Sequence, residues 1–271
     1  MRLKEVLNTY QTIDKGLMRE RMDMFQSGLD AIATQHLSKS FMGIKAVNDL
    51  SISFPKSLVT GLIGPNGSGK STLINLITGL LKPDNGSIVM KERAYPFIKP
   101  YKLRKFKVAR TFQDSRLVEQ LSVEDNLLLA VAQNKIWKGL KELKTTKYRQ
   151  RLERILVKTG LLNHRYQKAE ELSYGQRKLL EIGRALMQDA DIYIFDEPFT
   201  GLSPQMVEEV LSIIDILRIE TKTVILIEHN MSLIEKLADY IIVLDHGTLL
   251  ASGAPKDVLK NKQVQEAYLG V

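Results

Sequence analysis

The sequence predicts an α/β fold: a mixed or parallel sheet, preceded by an antiparallel β region and interrupted by an inserted helical subdomain. Two patterns carry that expectation. The first is the apolar run Leu58-Val59-Thr60-Gly61-Leu62-Ile63, which reads as a buried strand. After a glycine-rich turn, Leu73, Ile74, Leu76, Ile77, Leu80 and Leu81 recur at helical spacing. The second is a pair of short apolar runs, Ile192-Tyr193-Ile194-Phe195 and Val224-Ile225-Leu226-Ile227, separated by a candidate helix from Ser203 to about Glu220. Strand, helix and strand in that order is the rhythm of a parallel sheet.

The remaining elements follow along the chain. Over residues 1–30, Met18, Met22, Phe25 and Leu29 fall on one helical stripe, so an N-terminal helical extension is expected. From Gln113 to about Ile182 the pattern is helical, which places a helical subdomain at about 114–185. Within it Ser122 can cap a helix, with Asp125 three residues on. A further helix is expected from Arg177 to Leu186. Near the end, Ile241 to Leu244 and Thr248 to Leu250 flank Asp245-His246-Gly247 and read as a hairpin.

Composition narrows the function classes. The 271 residues are 44% hydrophobic and 26% charged, ordinary values for a globular protein. No apolar run approaches the ~20 residues of a membrane helix. The opening residues Met1 to Val6 show no secretory h-region. The absence of cysteine excludes a disulfide framework, thiol catalysis and Cys-ligated zinc. The net charge of +8 is concentrated in Lys99, Lys102, Arg104, Lys105, Lys107 and Arg110 and in the stretch from Lys135 to Arg154. A solvated helix face accounts for such runs first, and a surface near an anionic membrane leaflet second. No motif for nucleic-acid binding accompanies them, so none is expected.

Gly64-Pro65-Asn66-Gly67-Ser68-Gly69-Lys70-Ser71-Thr72 matches G-x-x-x-x-G-K-[ST] between the strand and the helix that this pattern requires. Its glycines let the backbone wrap a polyphosphate with several N–H groups pointing inward, at the positive end of the following helix. Lys70 supplies a full charge for the β- and γ-phosphates and Ser71 a hydroxyl for Mg²⁺. The chain is therefore expected to bind a nucleoside triphosphate.

Three further groups complete the candidate site. Asp196 and Glu197 end a core strand, where open α/β sheets bind ligands. Asp196 is the candidate for the Mg²⁺ shell, and Glu197 for the general base or water-orienting group. His229 directly follows the next strand and can reach a γ-phosphate from there. In Leu172-Ser173-Tyr174-Gly175-Gln176, a serine and a bare glycine N–H at a helix start form either a plain N-cap or a second anion site.

Taken together, the motif order resembles that of the ATP-binding cassette (ABC) ATPases over residues 31–271. The resemblance implies a P-loop NTPase core of the ABC type. It also implies that Phe41, which otherwise reads as core, stacks on adenine, and that Gln113 touches Mg²⁺ and reports to a transport partner. ATP and Mg²⁺ are the implied ligands. Each ATP would lie between the phosphate loop of one chain and Ser173, Gly175 and Gln176 of a second.

A narrower resemblance is to the ATPase subunits of branched-chain amino-acid importers. Arg110-Thr111-Phe112-Gln113, Leu121 to Leu128, Gly201-Leu202-Ser203-Pro204 and Glu266-Ala267-Tyr268-Leu269-Gly270 carry it. It implies a peripheral subunit on the cytoplasmic face of the membrane, with separate permease subunits and a solute-binding protein. The alternatives are an export subunit of the lipid or lipopolysaccharide type and a soluble iron–sulfur assembly ATPase. Two positions depart from the common cassette pattern: Tyr174 replaces a glycine, and Ser203 replaces an aspartate.

Overall fold

The computed structural model describes residues 29–112, 116–132 and 146–269. The expected N-terminal helix lies outside these residues, as does Gln113.

The chain opens with β1 (Asp30–Phe41), β2 (Ile44–Leu50), β3 (Ser53–Pro55) and β4 (Val59–Ile63), followed by α1 (Lys70–Ile77). Next come β5 (Asn85–Met90), β6 (Arg93–Tyr95) and β7 (Val108–Arg110), then α2 (Val123–Leu129), α3 (Thr146–Lys158) and α4 (Tyr174–Met187). The last part alternates: β8 (Ile192–Asp196), α5 (Pro204–Ile219), β9 (Thr223–Ile227), α6 (Met231–Leu237), β10 (Tyr240–Asp245), β11 (Thr248–Gly253), α7 (Pro255–Val258) and α8 (Lys262–Leu269).

Two sheets result. One is antiparallel, in the order β2-β1-β5-β6 with β3 also paired to β1. The other runs β11-β10-β4-β9-β8-β7, parallel from β10 to β7, with β11 antiparallel at its edge. The β10–β11 turn is the expected hairpin. Asp245 pairs with Thr248, and both His246 and Gly247 have positive φ, as a tight turn of matching twist requires.

The central strands are apolar at nearly every position because both of their faces are buried. Alternate residues go to different cores. Val59, Tyr193, Phe195, Val224 and Leu226 pack against α2, α4 and α5, whereas Leu62, Ile192, Ile194, Ile225 and Ile227 pack against α1 and the antiparallel sheet. Side chains of period two thus fix the sheet between two layers.

Capping sets the helix starts. The Ser122, Ser173 and Ser203 hydroxyls accept from Asp125, Gln176 and Met206 N–H at the starts of α2, α4 and α5. Two expectations need correction. Helix α1 stops at Ile77, so Leu80 is exposed and does not continue its apolar face. Arg110 also leaves the solvated basic run: Lys99, Lys102, Arg104, Lys105 and Lys107 are exposed, whereas the Arg110 side chain is only 7% exposed.

Candidate active site

The loop from Gly64 to Gly69 joins the carboxyl end of β4 to the start of α1. Its shape depends on missing side chains. Gly64 (φ 150°) and Gly69 (φ 100°) adopt backbone conformations that L side chains rarely reach. A Cβ on Gly64 would collide with the Leu244 carbonyl oxygen, and one on Gly69 with that of Ala46. Lys70 Nζ donates to the carbonyls of Gly64 at 2.7 Å and Pro65 at 3.0 Å and to Ser68 Oγ at 3.4 Å. Burial lowers the pKa of the Lys70 ammonium, and the negative charges of Glu197 and Asp196 oppose that shift.

Sheet order brings the other groups to this loop. β9 lies between β4 and β8, so the carboxyl ends of all three strands share one edge. Glu197, one residue beyond β8, has φ 47°, a left-handed conformation unusual for a residue with a side chain. Its N–H donates to the Ile227 carbonyl at 3.0 Å, and its Oε1 lies 3.0 Å from His229 Nε2. Lys70, Ser71, Thr72, Glu197 and His229 line one cleft of about 390 Å³, with Asn66, Gly67, Ser68 and Gly69 along the same wall. Asp196 is buried beside it, paired to Arg110 at 3.0 Å, and its N–H donates to Thr111 Oγ1 at 3.2 Å.

Ser173, Gly175 and Gln176 do not line that cleft. Ser173 and Gln176 form a reciprocal capping box at the start of α4. The Ser173 N–H donates to Gln176 Oε1 at 2.9 Å, and Ser173 Oγ accepts from the Gln176 N–H at 3.3 Å. Tyr174 is exposed, with its ring over Gly201: a Cβ there would lie 2.7 Å from Tyr174 Cε1. Ser203 keeps the N-cap that an aspartate would also make. Phe41 is exposed at the end of β1, with Lys39 Nζ 5.6 Å from its ring centroid, so the reading of Phe41 as core from residues alone does not hold.

Three buried groups beside these were not singled out from sequence. Arg110 looked like part of a charge run. Glu228, buried at the end of β9, accepts from the N–H groups of Phe199 and His229, both at 3.3 Å, and burial raises its carboxyl. Glu181 on α4 accepts from the Phe112 N–H at 2.8 Å, and burial pushes its carboxyl up to about 7. A carboxylate within an otherwise apolar stripe was the available signal for both acids.

The oxygen donors Ser71 and Asp196 suit a hard cation. Among the described residues no cluster of His, Cys, Asp or Glu could hold a metal by itself. That donor set fits Mg²⁺, which is usually bound by one or two protein groups together with phosphates and water.

Comparison with known proteins gives the family. Residues 47–200 match the family described as ABC transporter, and residues 248–271 match one described as branched-chain amino acid ATP-binding cassette transporter. The high-affinity branched-chain amino acid transport ATP-binding protein LivG of Salmonella typhimurium is 37% identical over 250 residues, covering 88% of this chain and 97% of that one. A probable LivG of Archaeoglobus fulgidus is 34% identical over 246 residues, covering 88% and 95%. Among solved structures, the ADP conformation of MJ1267, an ATP-binding cassette of an ABC transporter, superposes with a TM-score of 0.76 at 34% identity. It covers 90% of this chain and 100% of that one. The chain belongs to the ABC transporter family, as an ATP-hydrolysing subunit with the α/β fold of a P-loop NTPase.

Proposed function

We propose that this chain powers the uptake of branched-chain amino acids from the cytoplasmic face of the membrane. It would do so paired with a second cassette chain and docked on separate permease subunits served by a solute-binding protein. The match of residues 248–271 and the names of the curated relatives support the substrate class. Among the described residues no helix is long and apolar enough to cross a membrane, which fits a role beside membrane-spanning partners.

The observation that carries the mechanism is the placement of Glu197 Oε1 3.0 Å from His229 Nε2, in one cleft with Lys70. In this reading the N–H groups of Gly64 to Thr72 hold the phosphates and Lys70 draws charge from the β- and γ-oxygens. Ser71, Asp196 and Gln113 would hold Mg²⁺, which when bound would screen the phosphate charge. Glu197 orients the attacking water and accepts its proton, while His229 fixes Glu197 and reaches the γ-phosphate. Phe41 stacks on adenine. Ser173, Gly175 and Gln176 face the ATP of the second chain, which agrees with their place outside the Lys70 cleft.

ATP then acts as a ligand with higher affinity for the closed pair, and hydrolysis resets the equilibrium. Glu197→Gln removes the base while the phosphate contacts survive, so it should trap the closed assembly. The test is to tag that variant, solubilise membranes gently, purify with Mg²⁺-ATP and identify the co-purifying chains. Multi-span subunits together with a second cassette chain are expected. Soluble assembly proteins alone, with the tagged chain absent from membranes, would overturn the transport reading.

A further inference from the structure

We infer that Arg110 is a positioning residue that fixes Asp196 relative to α1, and so sets the spacing of Ser71 and Asp196, two of the three protein ligands proposed for Mg²⁺. The inference rests on the proposed reading of the site.

Arg110 ends β7, which pairs in parallel with β8 and places Arg110 opposite Ile194. Asp196 lies two residues beyond Ile194, so both side chains leave the same face of β8. That face packs on α1: Ile194 shares its core with Leu73, Ile74 and Ile77. The guanidinium bridges the two elements with its two arms. Nη2 meets Asp196 Oδ2 at 3.0 Å, and Nη1 donates to Asn75 Oδ1 at 2.7 Å and Thr78 Oγ1 at 2.8 Å.

Asn75 stands four residues after Ser71, on the same face of α1 and one turn further along. The bridge therefore ties the Ser71 face of the helix to Asp196 across the sheet. Only a planar fork makes this connection, because a lysine ammonium is a single point on a flexible stem. Asp196 Oδ1 stays outside the ion pair, so the bridge uses one carboxylate oxygen and leaves the other.

A plain structural ion pair is a weak explanation. Buried pairs of this kind are often replaced by apolar side chains without loss of stability. Groups that orient a metal ligand from behind have a different signature: their loss lowers metal affinity by about tenfold to a hundredfold.

The experiment measures binding of a fluorescent adenine nucleotide in EDTA and across a Mg²⁺ titration. The proteins are wild type, Arg110→Met, Arg110→Lys, Asn75→Ala and Asp196→Asn. Asn75→Ala removes the shorter of the two bonds from Nη1 to the α1 side and leaves the Thr78 bond and the Arg110–Asp196 pair, so it answers the question even where Arg110→Met fails to fold. In EDTA the Arg110 and Asn75 variants should bind nucleotide close to wild type. The Mg²⁺ concentration that gives half of the Mg²⁺-dependent tightening should rise by about tenfold in Arg110→Lys and Asn75→Ala.

The sign discriminates between causes. Arg110→Met removes the positive charge beside Asp196 and by electrostatics alone would strengthen Mg²⁺ binding, whereas loss of the bridge weakens it. Arg110→Lys and Asn75→Ala keep the charge and isolate the bridge. An unchanged or lowered Mg²⁺ requirement in these variants overturns the inference. If wild type shows no Mg²⁺-dependent tightening, or Asp196→Asn behaves as wild type, the reading of the site fails and the inference falls with it.

Discussion

Glu181 makes the pH dependence of stability calculable. It sits on α4, 6% exposed, and accepts a hydrogen bond from the Phe112 N–H at 2.8 Å. Burial is the largest influence and lifts its carboxyl from 4.5 to about 7, against the Phe112 N–H and the charges of Lys178, Arg184 and Arg116. Between these two values the folded protein holds a proton that the unfolded chain has released. Stability must therefore fall as pH rises through this window. At about 1.4 kcal/mol per pH unit, the full loss is about 3 kcal/mol. It is absent below pH 4.5, where both states are protonated, and complete above about 7.

Glu181→Gln keeps an amide oxygen to accept from Phe112 and removes the titration. Urea unfolding of both proteins, followed by circular dichroism from about pH 4.5 to about 8, isolates the effect because all other groups are shared. The stability of wild type relative to Glu181→Gln should drop by about 3 kcal/mol across that range. Parallel curves, or a difference that grows with pH, would refute the reasoning that burial keeps this carboxyl protonated.

Lys70→Ala should lose about tenfold to a hundredfold in nucleotide affinity, the worth of charge-assisted hydrogen bonds, and titration calorimetry with ADP measures it. Unchanged affinity would remove Lys70 from the phosphate site. Gly64→Ala should lower the thermal midpoint more than Gly67→Ala. Both positions have positive φ, but a Cβ at Gly64 meets the Leu244 carbonyl whereas at Gly67 nothing lies within 4 Å. The reverse order would show that the loop repacks freely.

What could be read from sequence is what local pattern dictates. The β4–loop–α1 unit, strands β8 and β9 and the serine cap at the start of α2 each announce themselves within about ten residues, through apolar periodicity, glycine spacing or a capping hydroxyl. Leu80 misled because helical spacing continues past the point where Thr78 and Gly79 end α1. Arg110 misled more deeply. In the chain it follows five exposed cations, and nothing nearby reveals that its partners are Asn75, 35 residues before it, and Asp196, 86 residues after it. The Glu181–Phe112 contact spans 69 residues and is invisible for the same reason.

The long-range contacts are also where stability is sacrificed. Elsewhere the sheet is packed on both faces by Leu, Ile, Val and Phe. At the carboxyl ends of β8 and β9 the same strands finish in Asp196, Glu197 and Glu228, with Asp196 and Glu228 buried and Glu197 in a left-handed conformation. Backbone strain of that kind costs about 1–3 kcal/mol and persists only where the surroundings over-determine it. Here the Ile227 carbonyl holds the Glu197 N–H and His229 holds its carboxylate. A sequence selected for stability alone would end these strands in a glycine or an apolar residue. The retained acids, each with a specific donor, mark the edge where the apolar logic of the core gives way to chemistry.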